Sequence, residues 1–225
     1  KRLLPSLGVL PIGDSVLTIM ASKKILITGA SRGLGLVAVE SFLKDGWEVF
    51  PFTREDYDYL KNGWNYIVPE VDAVLHCAGG GLGLKGPFLT ARSMWELFMV
   101  NLGGAMDVNR MIAPIMQHKG YGRIVHVLSI AAGEAVGSVG YNTVKTALSG
   151  YVRSLGREMA EYGVVVSGIS PGGFQAPDNA MARLQRNNPS VYDAFIDRLP
   201  RGKMGRAEEL IPILKFLCSR DASMM

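Results

Sequence analysis

The stretch TGASRGLG at residues 28–35 decides the fold, because it joins an apolar run to a helical pattern. The run before it, KILI, has the composition of a buried strand, and the residues after it predict a helix over about 34–45. Three glycines let the backbone turn tightly and approach a pyrophosphate, and the positive end of the helix dipole favours the phosphates. The candidate contacts for such a dinucleotide are Gly29, Ser31, Arg32, Gly33, Leu34 and Gly35.

Short apolar runs and helical patterns alternate along the rest of the chain. The runs are WEVFPFT, DAVLHCAG, GRIVHVLSI and VVVSGISPGG, and the helical patterns cover about residues 92–118, 141–162 and 208–219. Near-continuous Val, Ile and Leu strands separated by helices are typical of a parallel sheet that is covered on both faces. We therefore predict an α/β fold of Rossmann type, a doubly wound parallel sheet flanked by helices in a single domain.

Length and composition limit the functions open to this chain. Its 225 residues are 48% hydrophobic and suit one domain, predicted over residues 21–225, with residues 1–20 as an extension outside the fold. No run of about 18 uncharged apolar residues predicts a membrane span, and the scattered Lys and Arg behind the net charge of +4 argue against nucleic acid. Two cysteines and three histidines supply neither a metal cluster nor a disulfide framework, so we expect a reducing, cytoplasmic setting.

The end of the second predicted strand carries the signal for the cofactor. An NAD site needs a carboxylate there to accept from the ribose 2′-hydroxyl, whereas the 2′-phosphate of NADP needs a cation. Thr53 stands about where the acid would be, and Arg54 and Arg32 can make charge-assisted hydrogen bonds to a phosphate. We therefore predict NADP(H), and NAD(H) stays open because Glu55 follows Arg54.

A second constellation is the pair Tyr141 and Lys145 in YNTVK, four residues apart at the start of a predicted helix and so on one helix face. A phenol with a pKa of about 10 is a poor acid or base at neutral pH, but a neighbouring ammonium favours the phenolate and lowers that pKa. Ser129, at the end of GRIVHVLS, can donate a hydrogen bond to a substrate oxygen whose charge changes during hydride transfer. Together these residues predict general acid–base chemistry on a carbonyl or an alcohol.

These motifs resemble those of the classical short-chain dehydrogenase/reductase family over roughly residues 23–225. The resemblance rests on TGASRGLG, CAG at 77–79, Asn101 in VNLGG, Ser129, YNTVK and SPGG at 170–173. It implies that Tyr141 donates or accepts the proton, while Lys145 binds the nicotinamide ribose and lowers the pKa of Tyr141. It also implies that Ser129 orients the carbonyl and that Asn101 holds a water in a proton relay, although a helix-bending or capping role for Asn101 is the alternative.

The same resemblance places further residues around the cofactor. Ala78 and Gly79, with Cys77 before them, would pack against the adenosine half. Pro171 and Gly172 would flank the nicotinamide.

Three departures from the family's pattern affect the prediction. His76 and Cys77 stand where two Asn are usual, and Gln175 could replace the usual Thr that contacts the cofactor amide. Only about 20 residues separate the second strand from DAVLHCAG. This short crossover is similar to that of the sugar-nucleotide reductases, and it would place Asp58 near the adenine or in a solvated turn.

Residues 178–203 correspond to the segment that covers the substrate in the family. Its five cations could bind an acidic or phosphate-bearing substrate or could solvate a mobile lid; they are Arg183, Arg186, Arg198, Arg201 and Lys203. The chain ends where the family's last strand would begin, which predicts either a fragment or an incomplete sheet edge.

The sequence as a whole predicts an NADP(H)-dependent oxidoreductase that interconverts a carbonyl and a secondary alcohol of a small molecule. The resemblance is strongest to 3-oxoacyl-carrier-protein reductases. A sugar or nucleotide-sugar keto-reductase is the first alternative, and a non-catalytic NADP(H)-sensing protein is the second. We expect a homodimer or homotetramer that associates through the helices near 92–118 and 141–162, with no metal, nucleic acid or membrane as partner.

Overall fold

The computed structural model of the protein describes residues 22–56 and 68–225. At its centre is a five-stranded parallel sheet with the strand order β2-β1-β3-β4-β5. The strands are β1 (Lys24–Thr28), β2 (Glu48–Phe52), β3 (Ala73–His76), β4 (Gly122–Val127) and β5 (Val164–Ile169). Each strand lies within one of the apolar runs of the sequence, so the predicted parallel sheet is confirmed.

Helices connect the strands and cover the sheet. They are α1 (Gly33–Lys44), α2 (Ala91–Phe98), α3 (Gly104–Lys119), α4 (Val139–Met159), α5 (Ala180–Asn187), α6 (Pro189–Ile196) and α7 (Ile211–Leu217). Two short strands, β6 (Phe174–Gln175) and β7 (Gly205–Arg206), pair with each other in parallel.

The two faces of the sheet bury separate apolar layers. Ile25 and Ile27 of β1 pack in one layer with Phe42 of α1 and Leu214 of α7. Leu26, between them, packs in the other layer with residues of α3 and α4. Successive residues of a strand point to opposite faces, so a strand that is apolar throughout needs helices on both sides. The predicted doubly wound fold is confirmed.

The strand order places a ligand crevice at the carboxyl ends of β1 and β3. Strand β1 has β2 on one side and β3 on the other, so the direction in which strands are added reverses at β1. In open α/β sheets, ligands bind outside the carboxyl ends of the strands at such a reversal. The loops that follow β1, β3 and β4 meet at this edge and carry most of the candidate residues.

Two elements differ from the sequence prediction. The helical pattern over 92–118 is divided by a π-helical turn at Met99–Gly103, a feature that occurs often at functional sites. A Cβ on Gly103 would lie 2.6 Å from Sδ of Met99, so a larger residue at this turn would require the Met99 side chain to move. The segment expected to cover the substrate folds into the helices α5 and α6, which the sequence did not predict.

Two of the predictions concern residues that the structure does not describe. Asp58 and the extension at residues 1–20 lie outside the described residues. Within 22–56 and 68–225, no helix is long and apolar enough to cross a bilayer. Over the same two ranges, no three His, Cys, Asp or Glu side chains come together as metal ligands.

A buried polar cluster lies between the sheet and helices α3 and α4. His76 and His126 are paired across β3 and β4, and their rings stack with centroids 4.4 Å apart. Asn109 Oδ1 lies 2.9 Å from His76 Nε2, and its Nδ2 lies 3.4 Å from His126 Nε2 and donates to the Tyr151 hydroxyl. An amide oxygen only accepts and an amide nitrogen only donates, so with Asn109 placed this way the cluster suits two neutral imidazoles, with Nε2 of His76 as donor and Nε2 of His126 as acceptor.

We expect this cluster to make the fold acid-sensitive. Burial lowers the pKa of His76 to about 4, and burial together with His76 and Lys145 also lowers the pKa of His126. The unfolded chain therefore binds more protons than the folded protein between about pH 6.5 and 4, so the free energy of unfolding falls as the pH drops through this window. For His76 the loss is about 3 kcal/mol.

Urea unfolding at a series of pH values measures this loss. His76→Asn, which removes one titrating ring, should lose less stability over the window than the parent protein. His118→Asn alters an exposed histidine of α3 and should retain the full loss. Equal acid losses in the two variants would contradict this account of the cluster.

Candidate active site

The loop after β1 is closed by backbone contacts that exclude any side chain. Gly29 has φ +68°, and a Cβ there would lie 2.7 Å from the backbone nitrogen of Ala78. A Cβ on Gly35 would collide with the carbonyl oxygen of Gly29. Ala78 also donates its amide to Thr28 Oγ1 at 3.3 Å, which joins the loop after β3 to the end of β1. The glycine spacing thus brings the loop, α1 and the next strand end into contact.

The start of α1 is open to an anionic ligand. Its N-cap residue, Arg32, is extended and exposed, and neither a side-chain cap nor an acidic residue occupies the first turn. Helix N-termini have unpaired amides that bind phosphate. The amide of Gly33 is not one of these free groups, because it donates to the carbonyl of Pro177 at 2.7 Å. Ser31 is exposed beside Arg32, whereas Leu34, in the first turn of α1, is buried. The glycine cradle and the uncapped helix fit the pyrophosphate of a dinucleotide.

The end of β2 holds both a cation and a carboxylate. Arg54 is exposed in the turn after the strand, as the NADP(H) prediction requires. Asp56 folds back, and its Oδ2 accepts from the backbone nitrogen of Thr53 at 2.7 Å and from Thr53 Oγ1 at 3.0 Å. A carboxylate therefore does lie at the end of β2. It belongs to Asp56, three residues after Thr53, where an acid would be expected in an NAD site.

Lys145 is buried beneath the crevice. Only 3% of it is exposed, and its ammonium donates to the carbonyl of Val127 at 3.0 Å, at the end of β4. Burial lowers the pKa of Lys145 to about 8. The ammonium Nζ lies 5.7 Å from the centroid of the Tyr141 ring, one turn away on α4. The spacing predicted that these two side chains share a face, and the structure places them together.

Tyr141 and Ser129 lie next to each other at the crevice. Ser129 follows the last residues of β4, where its Oγ also accepts from the amide of Ala131 at 3.2 Å. Burial raises the pKa of Tyr141 above its ordinary value, and the hydrogen bond with Ser129 opposes that rise. Burial is the largest influence on the phenol, because it removes the hydration of the phenolate, and it opposes the lowering of the pKa that was predicted from Lys145.

Asn101 clamps the loop after β3. Its Nδ2 donates to the carbonyls of Gly80 and Leu97, and its Oδ1 accepts from the amide of Gly80 at 3.0 Å. A Cβ on Gly79 would lie 2.8 Å from Asn101 Oδ1 and 3.3 Å from Lys145 Nζ. Both amide hydrogens are used, and the residue lies in the π-helical turn, so the side chain fits the helix-bending alternative better than a relay in which it holds a water.

The remaining predicted cofactor residues surround the same crevice. The carbonyl of Pro171 accepts from the amide of Ile130 at 3.1 Å, which holds the loop after β5 against Ser129. Gly172 is exposed next to it. Cys77 lies at the end of β3, and burial raises the pKa of its thiol to about 12, so it remains protonated at neutral pH.

The cations of residues 178–203 fall into different environments. Arg183 and Arg186 both pair with Asp178, and Arg201 pairs with Glu209. Gln175, the proposed substitute for the usual Thr, donates to Gln185 of α5 at 2.8 Å and to Tyr192 of α6 at 2.6 Å. These bonds connect β6 to the two helices. The side-chain amide of Gln175 is therefore bonded to residues of α5 and α6.

Two glycines beside Tyr141 were missed in the sequence. A Cβ on Gly137 would lie 2.9 Å from Cδ1 of Tyr141, and a Cβ on Gly81 would lie 4.0 Å from Cδ2. The phenol ring is thus held between two loops. Their signal in the sequence was weak, because Gly81 is one of several glycines between 79 and 86 and nothing marks which of them faces the ring.

Comparisons with known proteins give a consistent result. The family profile described as enoyl-(acyl carrier protein) reductase matches residues 58–225. The short-chain reductase protein NovJ of Streptomyces niveus is 26% identical over 230 residues, which cover 88% of this chain and 87% of that protein. The 2-dehydro-3-deoxy-L-rhamnonate dehydrogenase (NAD(+)) of a Sphingomonas strain is 30% identical over 153 residues, 67% of this chain and 59% of that protein.

Solved structures share the fold. A 3-oxoacyl (acyl-carrier-protein) reductase from Agrobacterium tumefaciens, with NADP bound, superposes with a TM-score of 0.72 over 90% of each chain at 21% identity.

Proposed function

The chain belongs to the classical short-chain dehydrogenase/reductase family of oxidoreductases, and on that basis we propose that it interconverts a carbonyl and a secondary alcohol with NADP(H). The observation that carries the proposal is the position of Tyr141, next to Ser129 and with its ring centroid 5.7 Å from the buried ammonium of Lys145, at the ligand-binding edge of the sheet. This edge also carries the glycine cradle after β1.

Each side chain has a distinct task in this proposal. Tyr141 gives its proton to the substrate oxygen during reduction and takes it back during oxidation. Ser129 donates a hydrogen bond to the same oxygen and so positions it. Lys145 is charged below a pH of about 8 and, held by Val127, favours the phenolate when the proton leaves. The nicotinamide, when bound, supplies or accepts the hydride.

The residues at the dinucleotide cradle support NADP(H) over NAD(H). Arg32 and Arg54 are exposed, and neither has an ion-pair partner among residues 22–56 and 68–225. The carboxylate of Asp56 is bonded to Thr53, which leaves it less able to accept from a ribose 2′-hydroxyl. Relatives of this chain differ in their cofactor, since the Sphingomonas dehydrogenase is named for NAD(+) and the Agrobacterium reductase holds NADP.

We expect NADPH to bind at least tenfold more tightly than NADH, because a guanidinium–phosphate bond contributes about 1.5–3 kcal/mol. Arg54→Gln should reduce that ratio several-fold. Arg157→Gln, at an exposed arginine in the last turn of α4, should leave it unchanged. Fluorescence titration with both cofactors measures the ratio, and equal affinities in the parent protein would refute the role of Arg54.

Catalysis is preferred to sensing because Ser129, Tyr141 and Lys145 are all present and close together. The test follows NADPH absorbance with a carbonyl panel of acyl thioesters, keto sugars and quinones. Turnover of at least one carbonyl is expected. NADPH binding with no turnover of any of them would favour a sensing protein instead. A sugar substrate is the second candidate, because a relative is named for a deoxy sugar acid.

We also propose a cytoplasmic homodimer or homotetramer. Helices α2 and α3 expose Trp95, Phe98, Met106 and Ile115, and exposed apolar side chains on neighbouring helices favour association. Sedimentation analysis tests the oligomeric state.

A further inference from the structure

Three exposed apolar residues adjoin, in sequence, Ser129 and the glycines next to the Tyr141 ring. Gly81 and Gly137 face opposite edges of the Tyr141 ring, and each has an apolar neighbour in sequence, Leu82 and Val136. Ile130 directly follows Ser129. All three neighbours are exposed, Ile130 by 36%, Leu82 by 41% and Val136 by 56%. They form an apolar rim, defined here as Leu82, Ile130 and Val136.

Single exposed apolar residues are ordinary on protein surfaces, but this rim is a group around reactive hydroxyls. The loop after β3 also exposes Phe88, by 96%, and the first residue of α4, Val139, is exposed as well. The charged residues of the loops that contain the rim are Lys85 and Glu134, one of each sign and both exposed. The rim therefore has no net charge that would select an anionic or cationic substrate.

A second observation concerns the backbone at Leu82. This residue has φ +52°, in the left-handed region that a branched side chain rarely adopts. The conformation costs about 1–2 kcal/mol for a residue with a Cβ, and such outliers occur preferentially at functional sites. The residues on either side, 81 and 83, are glycines. A glycine at position 82 as well would adopt this backbone without the cost. Leucine at this position is thus disfavoured by the backbone and needs another reason.

We propose that the apolar rim binds an uncharged alkyl or aryl group next to the reacting carbonyl, so that the substrates are apolar ketones and their alcohols rather than sugars. The inference rests on the proposed function, since it takes Ser129 and Tyr141 as the residues that contact the reacting oxygen. The substrate would lay its apolar substituent across Leu82 and Val136 while its oxygen reaches the two hydroxyls. Removing this substituent from water supplies the binding energy.

The test uses the full chain loaded with NADPH, which cannot accept a hydride from an alcohol, and measures binding of secondary alcohols by calorimetry, so that it does not depend on turnover. The ligands are the series from 2-butanol to 2-octanol and, for comparison, the polyols erythritol and ribitol. Each added methylene should tighten binding about threefold to fourfold until the rim is covered. The polyols should bind more weakly than 2-butanol. A flat series, or tighter binding of the polyols, would overturn the inference.

Two variants locate the effect. Leu82→Asn removes apolar surface and places a residue that tolerates the left-handed region, and Val136→Thr keeps the side-chain shape while adding a hydroxyl. Each should reduce the gain per methylene while leaving NADP affinity within error of the parent, and Leu82→Asn should not lower the melting temperature, because asparagine fits the left-handed backbone better than leucine. Leu43→Asn makes the same apolar-to-polar change on α1, at a leucine that is 54% exposed, and should leave the gain unchanged. Equal gains in all variants would contradict a role for the rim.

Turnover of these alcohols with NADP, and of the corresponding 2-ketones with NADPH, separates this inference from the proposed function. Alcohol affinities that rise with chain length, without oxidation or reduction of any member, would support the rim and count against catalysis. Turnover that is independent of chain length would support catalysis and overturn the rim.

Discussion

Tyr141→Phe is expected to lower kcat/KM for any accepted carbonyl by about 10²- to 10⁴-fold, because it removes the group that exchanges the proton with the substrate oxygen. The ring itself should stay in place. Its two edges lie near Gly81 and Gly137, through the ring carbons Cδ2 and Cδ1 and not through the hydroxyl. NADPH affinity should therefore remain within about threefold of the parent value, a change below 1 kcal/mol.

The matched control is Tyr162→Phe, which removes a hydroxyl from an exposed tyrosine at the end of α4's C-terminal extension, Ala160–Tyr162. It should keep parental turnover. Steady-state kinetics with NADPH oxidation measures both variants. Undiminished turnover by Tyr141→Phe would reject the assignment of this residue as the acid and base.

Gly29→Ala should damage both stability and cofactor binding. Gly29 has φ +68°, and its new Cβ would lie 2.7 Å from the amide nitrogen of Ala78, a backbone atom two residues after the end of β3 that is bonded to Thr28 of β1. We expect a loss of about 3 kcal/mol in the free energy of unfolding, from the left-handed backbone and the clash together. NADPH affinity should fall by at least about 100-fold, because the loop must shift away from the helix N-terminus.

Gly46→Ala separates the two causes. Gly46 has φ +79°, but nothing lies within 4 Å of its Cβ position, so only the backbone cost applies. Its loss should be about 1 kcal/mol, with NADPH affinity unchanged. Urea unfolding and fluorescence titration measure both proteins. Similar losses in the two variants would mean that the contact with Ala78 does not matter.

The sheet was predictable because its buried strands are near-continuous apolar runs, interrupted in β4 by Arg123 and His126. KILI and VVVSGI are apolar on both faces, and a strand of this kind can only lie in a sheet covered on both sides. The pair Tyr141 and Lys145 was predictable for a similar reason, since a spacing of four fixes two side chains on one helix face.

What the sequence did not predict depends on contacts between distant residues. The clamp of Asn101 on Gly80 joins positions 21 apart, and the pairing of His76 with His126 needs the register of two parallel strands. Asp56 reaches the end of β2 only because its turn folds back on Thr53. The raised pKa of Tyr141 reflects burial, and burial of a helix start cannot be read from its spacing.

The central claim is that this crevice transfers hydride between a bound dinucleotide and a carbonyl carbon, with Tyr141 exchanging the proton. The most direct measurement incubates the protein with NADPH that carries deuterium at the reactive nicotinamide carbon, together with 2-octanone, and analyses the product by mass spectrometry. We predict 2-octanol with one deuterium on the carbinol carbon, formed by the parent protein and not by Tyr141→Phe. Alcohol without deuterium, or equal deuterium transfer by the two proteins, would contradict the claim.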